Sequence, residues 1–583
     1  MVKLSSVTAQ ALISLTSVSL YAGVTDASYD PLWHPEYTNE DAAYARVIEL
    51  QHADDSNGKL LATWEHWYSN GSAGNFIIRE SSDLGTTWET IATVYAPEGV
   101  PNTYFYQPFL FEFPQQLGNY PEGTILLVGN LHDSNVTNFF SWRSADHGRN
   151  WDPIGIWQTG YSSVSNGASG TVSAGIWEPF LFLDSQERLV AVFSDERDWG
   201  NYSQMLVHVI SEDGGDTWGD VVHDVLGYEQ SSRPGMATVA KMDNGKYFMS
   251  YEWCDNNYLG HACSVNGKTS TDGVSWNPSD NGSFVSTPDG VQSSGSPYAI
   301  WDSVGKQLIV SSRAQRWFST FAPALDPPFT AENQHVVHIN TNYGSGDWWW
   351  ASAPWYVPSG TNCGTNYSPN LLALSNGTIL YSTNTQAIGE QCEESTGAAP
   401  IGILPYNSNF SFEGNAGWIE FDALWSVSDG QYNFAPVTTP ATIVLTGSSG
   451  WTDYEISADV IVTSTSGVVG VLVRASNSNT APNYLSRYTA VVDSNRGDLT
   501  LYQVGDTATT TLQTELVEGG VKVNQIYRLS LSVKGTSLVG TLSDGDGGNT
   551  TVSVSNDGLL RGAAGLYGSY GSGGFSNVQI TSL

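Results

Sequence analysis

The sequence is poor in positive charge and has few charged side chains of either sign. Lys and Arg together number 22 against 58 Asp and Glu, which gives a formal net charge of -36. Nucleic acids and anionic membrane surfaces are bound through clustered Lys and Arg, which displace the counterions of phosphates. The composition therefore predicts neither a nucleic-acid nor a membrane partner, and the negative charge is typical of a soluble secreted protein.

Cysteine is also scarce, and its spacing does not match a metal site. The four cysteines form two pairs that are close in sequence, Cys254 with Cys263 and Cys363 with Cys392. We interpret them as disulfides of an oxidising compartment. Zinc is the alternative, but there is no Cys-x-x-Cys and no His at ligand spacing. We therefore predict two disulfides, no metal and no cofactor.

Beyond residues 1–22, no apolar run approaches the roughly 18 residues of a membrane span. Residues 1–22 carry Lys3 and then an apolar, Ser-rich run ending in SLYAG, which is typical of a secretory signal peptide cleaved near Ala22. We expect the mature protein to be soluble and extracellular. In agreement, candidate N-glycosylation acceptors occur at Asn70, Asn135, Asn201, Asn281, Asn366, Asn376, Asn409 and Asn549.

Length and composition predict more than one domain and an all-β class. The chain has 583 residues, of which 12% are aromatic, 14% are charged and 60 are Gly. A chain of this length exceeds what one core usually supports. Aromatic residues favour strands, and frequent Gly suits the turns between them.

An octet recurs four times, as SSDLGTTW (81–88), SADHGRNW (144–151), SEDGGDTW (211–218) and the shorter STDGVSW (270–276). Each copy follows an alternating, strand-like run. Its Ser and Asp side chains can bond nearby backbone amides, its Gly accepts a positive φ, and its Trp can pack between sheets. A calcium loop is the alternative, but the closing glutamate is missing. We predict that the octets are hairpin turns on the outer side of the fold, away from the chemistry.

A second repeat, out of phase with the octets, predicts the architecture. Its six runs are ARVIEL at Ala45, QPFLFEF at Gln107, EPFLFLD at Glu178, RPGMATVAKM at Arg233, SPYAIWD at Ser296 and SPNLLALS at Ser368. Each is followed, after a turn, by a second strand-like run. Six units of about four strands predict a six-bladed β-propeller over residues 31–405. A strand within 31–38 would complete the last blade and close the ring.

The sequence pattern changes after the predicted propeller. Residues 406–410 are predicted to be a linker, and residues 411–583 a second all-β domain, a two-sheet sandwich. The ending GAAGLYGSYGSGGFSNVQI resembles concanavalin-like, carbohydrate-associated sandwiches.

The repeat also nominates residues for a central pocket, because the inner strands of all blades converge there. The predicted inner strands start at Arg46, Gln107, Glu178, Arg233, Ser296 and the Tyr367–Ser368 pair, and the second strands end at Glu65, Asn130, Asp195, Glu252 and Arg313. Glu178 and Glu252 each lie among large apolar neighbours. A single such glutamate is most often structural, but a pair at one rim is what glycoside hydrolysis requires. Apolar neighbours raise the pKa of one carboxyl and Arg neighbours lower that of the other.

The octets resemble the Asp-boxes of the sialidase superfamily. Sialidases share the propeller and use a Tyr nucleophile, and TNYSPNLLALSNGTILY resembles the segment with that residue, which would be Tyr367. The sialidase Phe/Tyr-Arg-Ile-Pro motif is absent, and this chain has YARVIEL in its place.

The chain is more similar to the fungal exo-1,5-α-L-arabinanases of the same clan. The similarity covers residues 31–405 and rests on W-E-P-F at Trp177, R-P-G-M-A-T-V at Arg233, the Y-E-W-C that follows, G-S-P-Y at Gly295 and Y-S-P-N at Tyr367. It implies a retaining reaction on arabinan by two glutamates. Glu178 would be the acid/base and Glu252 the nucleophile, with the reverse order open, and Tyr367 would position the nucleophile or the sugar.

The predicted substrate-binding residues are Arg46, Glu65, Gln107, Trp177, Arg233, Arg313 and Trp350. Trp350 comes from the run GDWWWASAPWYV (346–357), expected in a blade-five loop, where aromatic rings would either stack on sugar or pack between blades. The leading hypothesis is a secreted, monomeric, exo-acting retaining glycosidase that releases arabinobiose from plant arabinan. An exo-sialidase and a non-catalytic glycan-binding propeller are the alternatives.

Overall fold

The computed structural model describes residues 30–583 except 69, 71, 101–103, 166–170, 255–262, 318–335, 356, 358–362, 387–390, 412–413, 421–423, 438–440, 477–484 and 506–507. The predicted signal peptide over residues 1–22 lies outside the described residues. Within the described ranges, no helix is long and apolar enough to cross a membrane.

Short antiparallel strands make up the first part of the fold, with one 3-10 turn at Asp54–Ser56. In chain order the strands are β1 (Asp30–Trp33), β2 (Glu40–Glu49), β3 (Leu60–Tyr68), β4 (Phe76–Ser81), β5 (Glu89–Val94), β6 (Tyr104–Glu112), β7 (Ile125–His132), β8 (Val136–Ser144), β9 (Asp152–Ser165), β10 (Thr171–Ala174), β11 (Ile176–Leu183), β12 (Leu189–Asp195), β13 (Met205–Ser211), β14 (Val222–Val225), β15 (Pro234–Lys241), β16 (Tyr247–Trp253), β17 (Ser264–Ser270), β18 (Ser283–Phe284), β19 (Val291–Ser294), β20 (Tyr298–Asp302), β21 (Gln307–Ser311), β22 (Ala314–Trp317), β23 (Val336–Asn340), β24 (Trp349–Ser352), β25 (Asn370–Ala373), β26 (Ile379–Gln386) and β27 (Cys392–Ala399).

These strands form six sheets, which are the blades of a six-bladed β-propeller, as predicted. Blades one to three are β2–β5, β6–β10 and β11–β14. Blade four is β15–β19 with β22, blade five is β20, β21, β23 and β24, and blade six is β25–β27 with β1. The inner strands β2, β6, β11, β15, β20 and β25 are the predicted first runs. Their apolar side chains pack between blades, and one cluster runs from Phe109 to Ile401.

The ring is closed by its first strand. β1 pairs antiparallel with β27, with Asp30 opposite Thr396. Trp33 anchors the closure because it is 7% exposed and its ring lies 5.6 Å from that of Trp64. The closing strand predicted within 31–38 is therefore present, although it ends at Trp33.

The four octets form hairpin turns between the third and fourth strands of blades one to four, so they lie on the outer side of each blade. In the copy that starts at Ser211, the serine hydroxyl contacts Asp213 Oδ1 at 2.8 Å and accepts the Gly215 N–H, while Asp213 Oδ1 accepts the Thr217 N–H. The other three copies repeat these bonds. The bonds confirm the interpretation of the octets as turns.

The second part of the fold contains fifteen further strands in the described ranges: β28 (Tyr406–Ser408), β29 (Ile419–Glu420), β30 (Trp425–Ser428), β31 (Gln431–Val437), β32 (Thr442–Thr446), β33 (Tyr454–Val462), β34 (Val468–Ser476), β35 (Ser486–Asp493), β36 (Asp498–Val504), β37 (Thr509–Leu516), β38 (Ile526–Lys534), β39 (Ser537–Ser543), β40 (Asn549–Ser555), β41 (Ala563–Ser569) and β42 (Gly571–Ser582). They form an eight-stranded and a seven-stranded sheet that share one apolar cluster, so the two sheets pack face to face.

The linker predicted over residues 406–410 is wrong. Tyr406, Asn407 and Ser408 form β28, which pairs with β42 near the end of the chain. The second unit therefore begins where the propeller ends, without a free connecting segment. Sequence composition missed this strand because three residues carry no readable alternation.

Trp350 lies at the contact between the two units and not in a sugar-binding loop. It is part of β24, is fully buried, and packs with Leu445 and Leu472 of the second unit. Backbone bonds join the same strand to that unit, from Ser449 N–H to Trp350 O and from Ser352 N–H to Gly447 O, both 2.9 Å. The prediction that Trp350 binds substrate is wrong, because its indole is covered by protein.

The two predicted disulfides, Cys254–Cys263 and Cys363–Cys392, are both present. One predicted glycosylation acceptor is wrong. Asn366 is fully buried and donates through Nδ2 to Ser312 O at 3.0 Å. A glycan on this amide would break that bond and has no space in the folded protein.

Candidate active site

The inner strand of every blade has a residue in the left-handed backbone region, either within the strand, as in β2, β6, β11 and β15, or two positions before it, as in β20 and β25. These residues are Tyr44, Gln107, Glu178, Met236, Ser296 and Ser368, with φ between 42° and 64°. Non-glycine residues adopt this conformation rarely and at a cost of order 1–3 kcal/mol. In β2, β6, β11 and β15 the residue lies at a break in the strand register, as in a β-bulge. The bulge positions therefore form a ring around the propeller axis, one per blade.

The ring corrects two of the residues predicted to start inner strands. Arg233 precedes the bulge residue Met236 by three positions, and Arg46 follows Tyr44 by two. Arg233-Pro234 has the X-Pro sequence found at four of the other bulges, but in the structure the bulge of blade four is at Met236-Ala237. The backbone conformation, rather than the proline, is what the six blades share.

A pocket lies inside this ring, and all six inner strands or the turns leading into them contribute to it. It is lined by Tyr44, Arg46, Phe109, Glu178, Pro179, Phe180, Met236, Ala237, Thr238, Pro297 and Ser368. The lining combines aromatic and apolar surface with a carboxyl and a guanidinium, as small-molecule sites commonly do.

Glu178 is held in this pocket by donors from two directions. Its Oε2 accepts the Ser194 hydroxyl at 2.5 Å, and its Oε1 lies 3.4 Å from Gln107 Nε2. Burial raises the pKa of Glu178 to about 7, the Ser194 bond opposes that rise, and the charge of Glu252 adds to it. Glu178 is therefore a carboxyl group that can be protonated at mildly acidic pH.

Glu252 is the penultimate residue of β16, the second strand of blade four, and is close enough to Glu178 for its charge to raise the pKa of that carboxyl. Its Oε2 accepts the Ser296 N–H at 2.7 Å. Burial raises its pKa, while the Ser296 bond and the positive charges of Arg313 and Arg233 oppose the rise. The two glutamates thus differ in their neighbours, with cations beside Glu252 and acidic groups beside Glu178.

Glu252 belongs to a contact that recurs between neighbouring blades. A side chain in the last half of one blade's second strand accepts the N–H of the bulge residue in the next blade. The three instances are Glu65 with Gln107 at 2.9 Å, Ser194 with Met236 at 3.2 Å and Glu252 with Ser296. We call these contacts the blade latches. They hold the strained bulges in place and fix Glu65, Ser194 and Glu252 relative to the inner strand of the next blade.

Tyr367 lies beside both glutamates and stays protonated. Burial raises its pKa well above 10, and the charges of Glu178 and Glu252 raise it further. Its backbone N–H is fixed by Asn384 Oδ1 at 2.9 Å, and the Arg313 guanidinium lies 5.6 Å from its ring. A neutral phenol in this position is suited to donate a hydrogen bond and not to act as a nucleophile.

Arg46 lines the blade-one side of the pocket, and Glu65 is close enough to interact with the charges of Arg46 and Glu178. Arg46 is 4% exposed and donates to Ser368 Oγ at 2.8 Å and to the carbonyls of Ala45 and Ser368. Burial raises the pKa of Glu65 to about 8; the Gln107 N–H and Arg46 lower it, and Glu178 raises it. Arg46 therefore supports the pocket wall, and Glu65 adds a buried carboxyl group next to the pocket.

The remaining predicted site residues border the pocket. Trp177 directly precedes Glu178, and its indole N–H donates to Glu196 Oε2 at 3.0 Å. Arg233 forms an ion pair with the same Glu196. Arg313 is exposed near Tyr367. The structure thus gathers Glu178, Glu252, Tyr367 and these neighbours at one end of the propeller.

Sequence reasoning missed Ser194, which lies one position before the predicted Asp195. Ser194 pairs in register with Trp177 and reaches Glu178, whereas Asp195 turns away and bonds Arg197. The sequence predicted the strand β12 correctly, but it assigned Asp195 to the face that Ser194 occupies. Tyr44 and Met236 were missed because no proline marks their bulges.

The part of the chain that the structure describes contains one cluster of three potential metal ligands, Glu252 with Cys254 and Cys263. Both sulfurs of this cluster are joined in a disulfide. A disulfide sulfur is not the thiolate that binds metals, so the cluster is not a metal site.

The fold and the site together define a six-bladed β-propeller with an axial pocket that is lined by one partly buried glutamate, Glu178, with a second, Glu252, close by. Solved structures with this fold are similar to the chain. A Penicillium chrysogenum alpha-L-arabinanase complexed with arabinobiose is 27% identical, covering 64% of this chain and 98% of its own, with a TM-score of 0.52. The GH93 alpha-L-arabinofuranosidase of Fusarium graminearum with arabinobiose is 26% identical over 64% and 97%, with a TM-score of 0.53. No protein-family model and no curated protein sequence matches the chain.

Proposed function

We propose that this protein is a secreted, exo-acting, retaining glycoside hydrolase that releases arabinobiose from plant arabinan. The observation that carries the proposal is a pair of partly buried glutamates: Glu178 lines a pocket to which all six blades contribute, and Glu252 is close enough for its charge to raise the pKa of Glu178. The similarity to the arabinanase and the arabinofuranosidase, both solved with arabinobiose, supports the substrate.

We assign Glu178 as the acid/base and Glu252 as the nucleophile. A general acid must be protonated at working pH, and burial raises the pKa of Glu178 to about 7. A nucleophile must be ionised; burial raises the pKa of Glu252, but the Ser296 N–H, Arg313 and Arg233 oppose that rise, whereas Glu178 has acidic groups and no cation among its charged neighbours in the described part of the chain.

The reaction has two steps. Glu178 gives its proton to the glycosidic oxygen while Glu252 attacks the anomeric carbon, which breaks the bond to the leaving chain and forms a glycosyl-enzyme ester. Glu178, now a carboxylate, takes a proton from water, and the hydroxide formed displaces Glu252 with net retention. Tyr367 donates a hydrogen bond to Glu252 or to the sugar and does not enter a covalent step.

The contacts of the pocket do not favour the exo-sialidase alternative. A sialidase uses an activated tyrosine and an arginine triad for the sialate carboxylate. Here burial raises the pKa of Tyr367, Arg46 is occupied by Ser368, and Arg233 by Glu196. A neutral sugar fits these contacts better than an anionic one.

Product analysis on linear, debranched arabinan tests the proposal. We expect arabinobiose as the first product, initially as the anomer of the cleaved linkage when followed by NMR. A mixture of longer oligosaccharides would contradict exo action, and the opposite anomer would contradict retention. Cleavage of sialosides instead would favour a sialidase, and binding of arabinan without cleavage would favour a glycan-binding propeller.

Azide rescue tests the assignment of the two glutamates. With an activated substrate, Glu252→Ala should yield the glycosyl azide of inverted configuration, and Glu178→Ala the azide of retained configuration. The opposite pattern would exchange the two roles. Because Ala at position 252 also removes a blade latch, Glu252→Gln, which keeps an amide oxygen for the Ser296 N–H, is the matched control for folding.

A further inference from the structure

A row of aromatic side chains lies at the ends of β6, β7 and β11. It consists of Tyr104, Tyr106, His132 and Trp177, and we call it the aromatic row. The Tyr104 ring stacks on Tyr106 at 5.5 Å and on His132 at 4.9 Å between centroids. His132 lies 4.9 Å from Tyr106 and meets Trp177 edge-on at 5.7 Å. The four rings form one continuous surface across blades two and three.

The aromatic row is not part of the apolar core. Tyr104 is 37% exposed, and the other three rings are half-buried. Between the two tyrosines, Phe105 points to the opposite face of β6 and is fully buried between blades. The strand thus places its core residue on one side and the aromatic row on the side open to solvent, where contiguous apolar surface commonly marks a binding site.

The rings at the inner end of the row are held in place before any ligand binds. The Trp177 indole N–H donates to Glu196 Oε2 at 3.0 Å. The indole also lies over Gly175, where an added Cβ would be only 2.8 Å from ring atoms. His132 Nδ1 lies 2.9 Å from the Asp133 carbonyl oxygen. Fixed rings lose little conformational freedom on binding.

The row runs directly into the candidate active site. Trp177 is the residue before Glu178. Tyr106 is the residue before Gln107, whose side-chain amide lies 3.4 Å from Glu178. A glycan whose end is bound in the pocket can therefore contact these rings with the units that extend out of it.

The chemistry of the row suits a neutral sugar chain. Aromatic faces pack on the apolar C–H faces of sugar rings, and side-chain N–H and O–H groups at the ring edges bond hydroxyls. Burial lowers the pKa of His132, so this residue is uncharged near neutral pH. The formal charge of -36 disfavours an anionic chain.

We propose that the aromatic row binds the units of the glycan that remain outside the pocket, on the leaving side of the scissile bond. This inference rests on the proposed function. It makes the protein selective for chain length, because a long substrate contacts both pocket and row while a short one contacts only the pocket.

The test compares kcat/KM on linear arabinan with kcat/KM on arabinobiosyl fluoride, whose leaving group is a single atom. In Tyr104→Ala the ratio of the two should fall about tenfold, mainly through a higher KM on arabinan. His132→Ala should lower the ratio in the same way. Tyr104→Phe keeps the ring and should retain most of the ratio. Tyr95→Ala removes a tyrosine that is 65% exposed and lies outside the row, so it should keep the wild-type ratio.

The outcomes separate the two proposals. An active wild-type enzyme whose ratio is unaltered in both folded variants, Tyr104→Ala and His132→Ala, would overturn the role of the aromatic row alone. A wild-type enzyme inactive on both substrates would overturn the proposed function and the row's role with it.

Discussion

Glu178 owes its position to two uncharged neighbours, Ser194 and Gln107, neither of which is acidic or basic. Their bonds orient the carboxyl group without neutralising it, so burial still raises its pKa to about 7. The balance between desolvation and these bonds sets the pH range in which Glu178 can serve as an acid.

Replacing Ser194 by Ala removes the bond that lowers the pKa of Glu178. Since hydrogen bonds to charged groups contribute roughly 1.5–3 kcal/mol, the alkaline limb of the pH–rate profile should move up by about one to two units. We expect kcat at the optimum to fall about tenfold because the carboxyl loses its orientation. The control is Ser141→Ala, at a buried serine of β8 whose Oγ has no partner among the described residues. It should change neither the alkaline limb nor kcat. An unshifted limb in Ser194→Ala would show that Glu178 is not the titrating acid.

Glu65 should make the fold less stable as the pH rises. Its folded pKa of about 8 exceeds the ordinary value near 4.5, so folding favours the protonated form. The stabilisation is present below about pH 4.5 and is lost as the pH rises through 8. Glu65→Gln keeps an acceptor for the Gln107 N–H and should show a smaller fall in Tm between pH 4.5 and 8. The exposed Glu36→Gln should follow the wild type, and identical pH slopes in all three proteins would contradict the raised pKa.

The sequence identified both candidate catalytic glutamates because each lies in a run with a recognisable pattern of apolar neighbours. It did not identify Ser194, since a serine in a strand has no distinguishing pattern and only the register shows which face it occupies. It misplaced Trp350 because an aromatic run looks the same whether it meets a sugar or another part of the protein.

The octets act at the scale of the element, where they close each hairpin with side-chain bonds. Asp213 accepts from the Thr217 N–H and contacts Ser211 Oγ. Asp213→Ala should lower the free energy of unfolding by roughly 1–3 kcal/mol, measured by urea denaturation. Turnover per folded molecule should be unchanged because the turn lies between outer strands. Glu212→Ala, at an 81% exposed side chain of the same turn, is the control and should leave stability unchanged. A fully folded Asp213→Ala protein without turnover would contradict the structural role of the octet.

Elements with a periodic signal were predictable, and those defined by tertiary contact were not. Alternating runs and turn residues predicted six blades, and four X-Pro pairs located most of the bulges. The bulges at Tyr44 and Met236 have no proline, and β28 is too short to show alternation. Such elements exist because a neighbouring strand supplies their hydrogen bonds.

At the scale of the whole molecule, the propeller and the second unit share a continuous core at Trp350. Removing residues after Pro405 would expose this indole and break the backbone bonds from β24 to the second unit. A propeller truncated there should therefore be poorly soluble, even though the pocket residues all precede the cut.

Trp350→Ala in the full chain tests this coupling. It should cost about 3–5 kcal/mol because it leaves a large cavity in a fully buried contact. We expect calorimetry to show one transition for the wild type and two for the variant, as the units unfold separately. The kcat of the variant below its first transition should match the wild type. A single unshifted transition would show that the contact does not couple the units.

The pairing of β1 with β27 sets a minimum time for completing the fold. His34 and Glu393, which bond beside this pairing, are separated by 359 positions. At about 5–20 residues per second, a ribosome needs roughly 20 to 70 seconds to synthesise the intervening chain. The first strand to be synthesised, β1, is therefore paired only after β27 has been made. Until then its edge is open to pairing with other nascent chains. A chaperone that covers the first strand during synthesis would raise the yield of closed rings without contributing to their final stability.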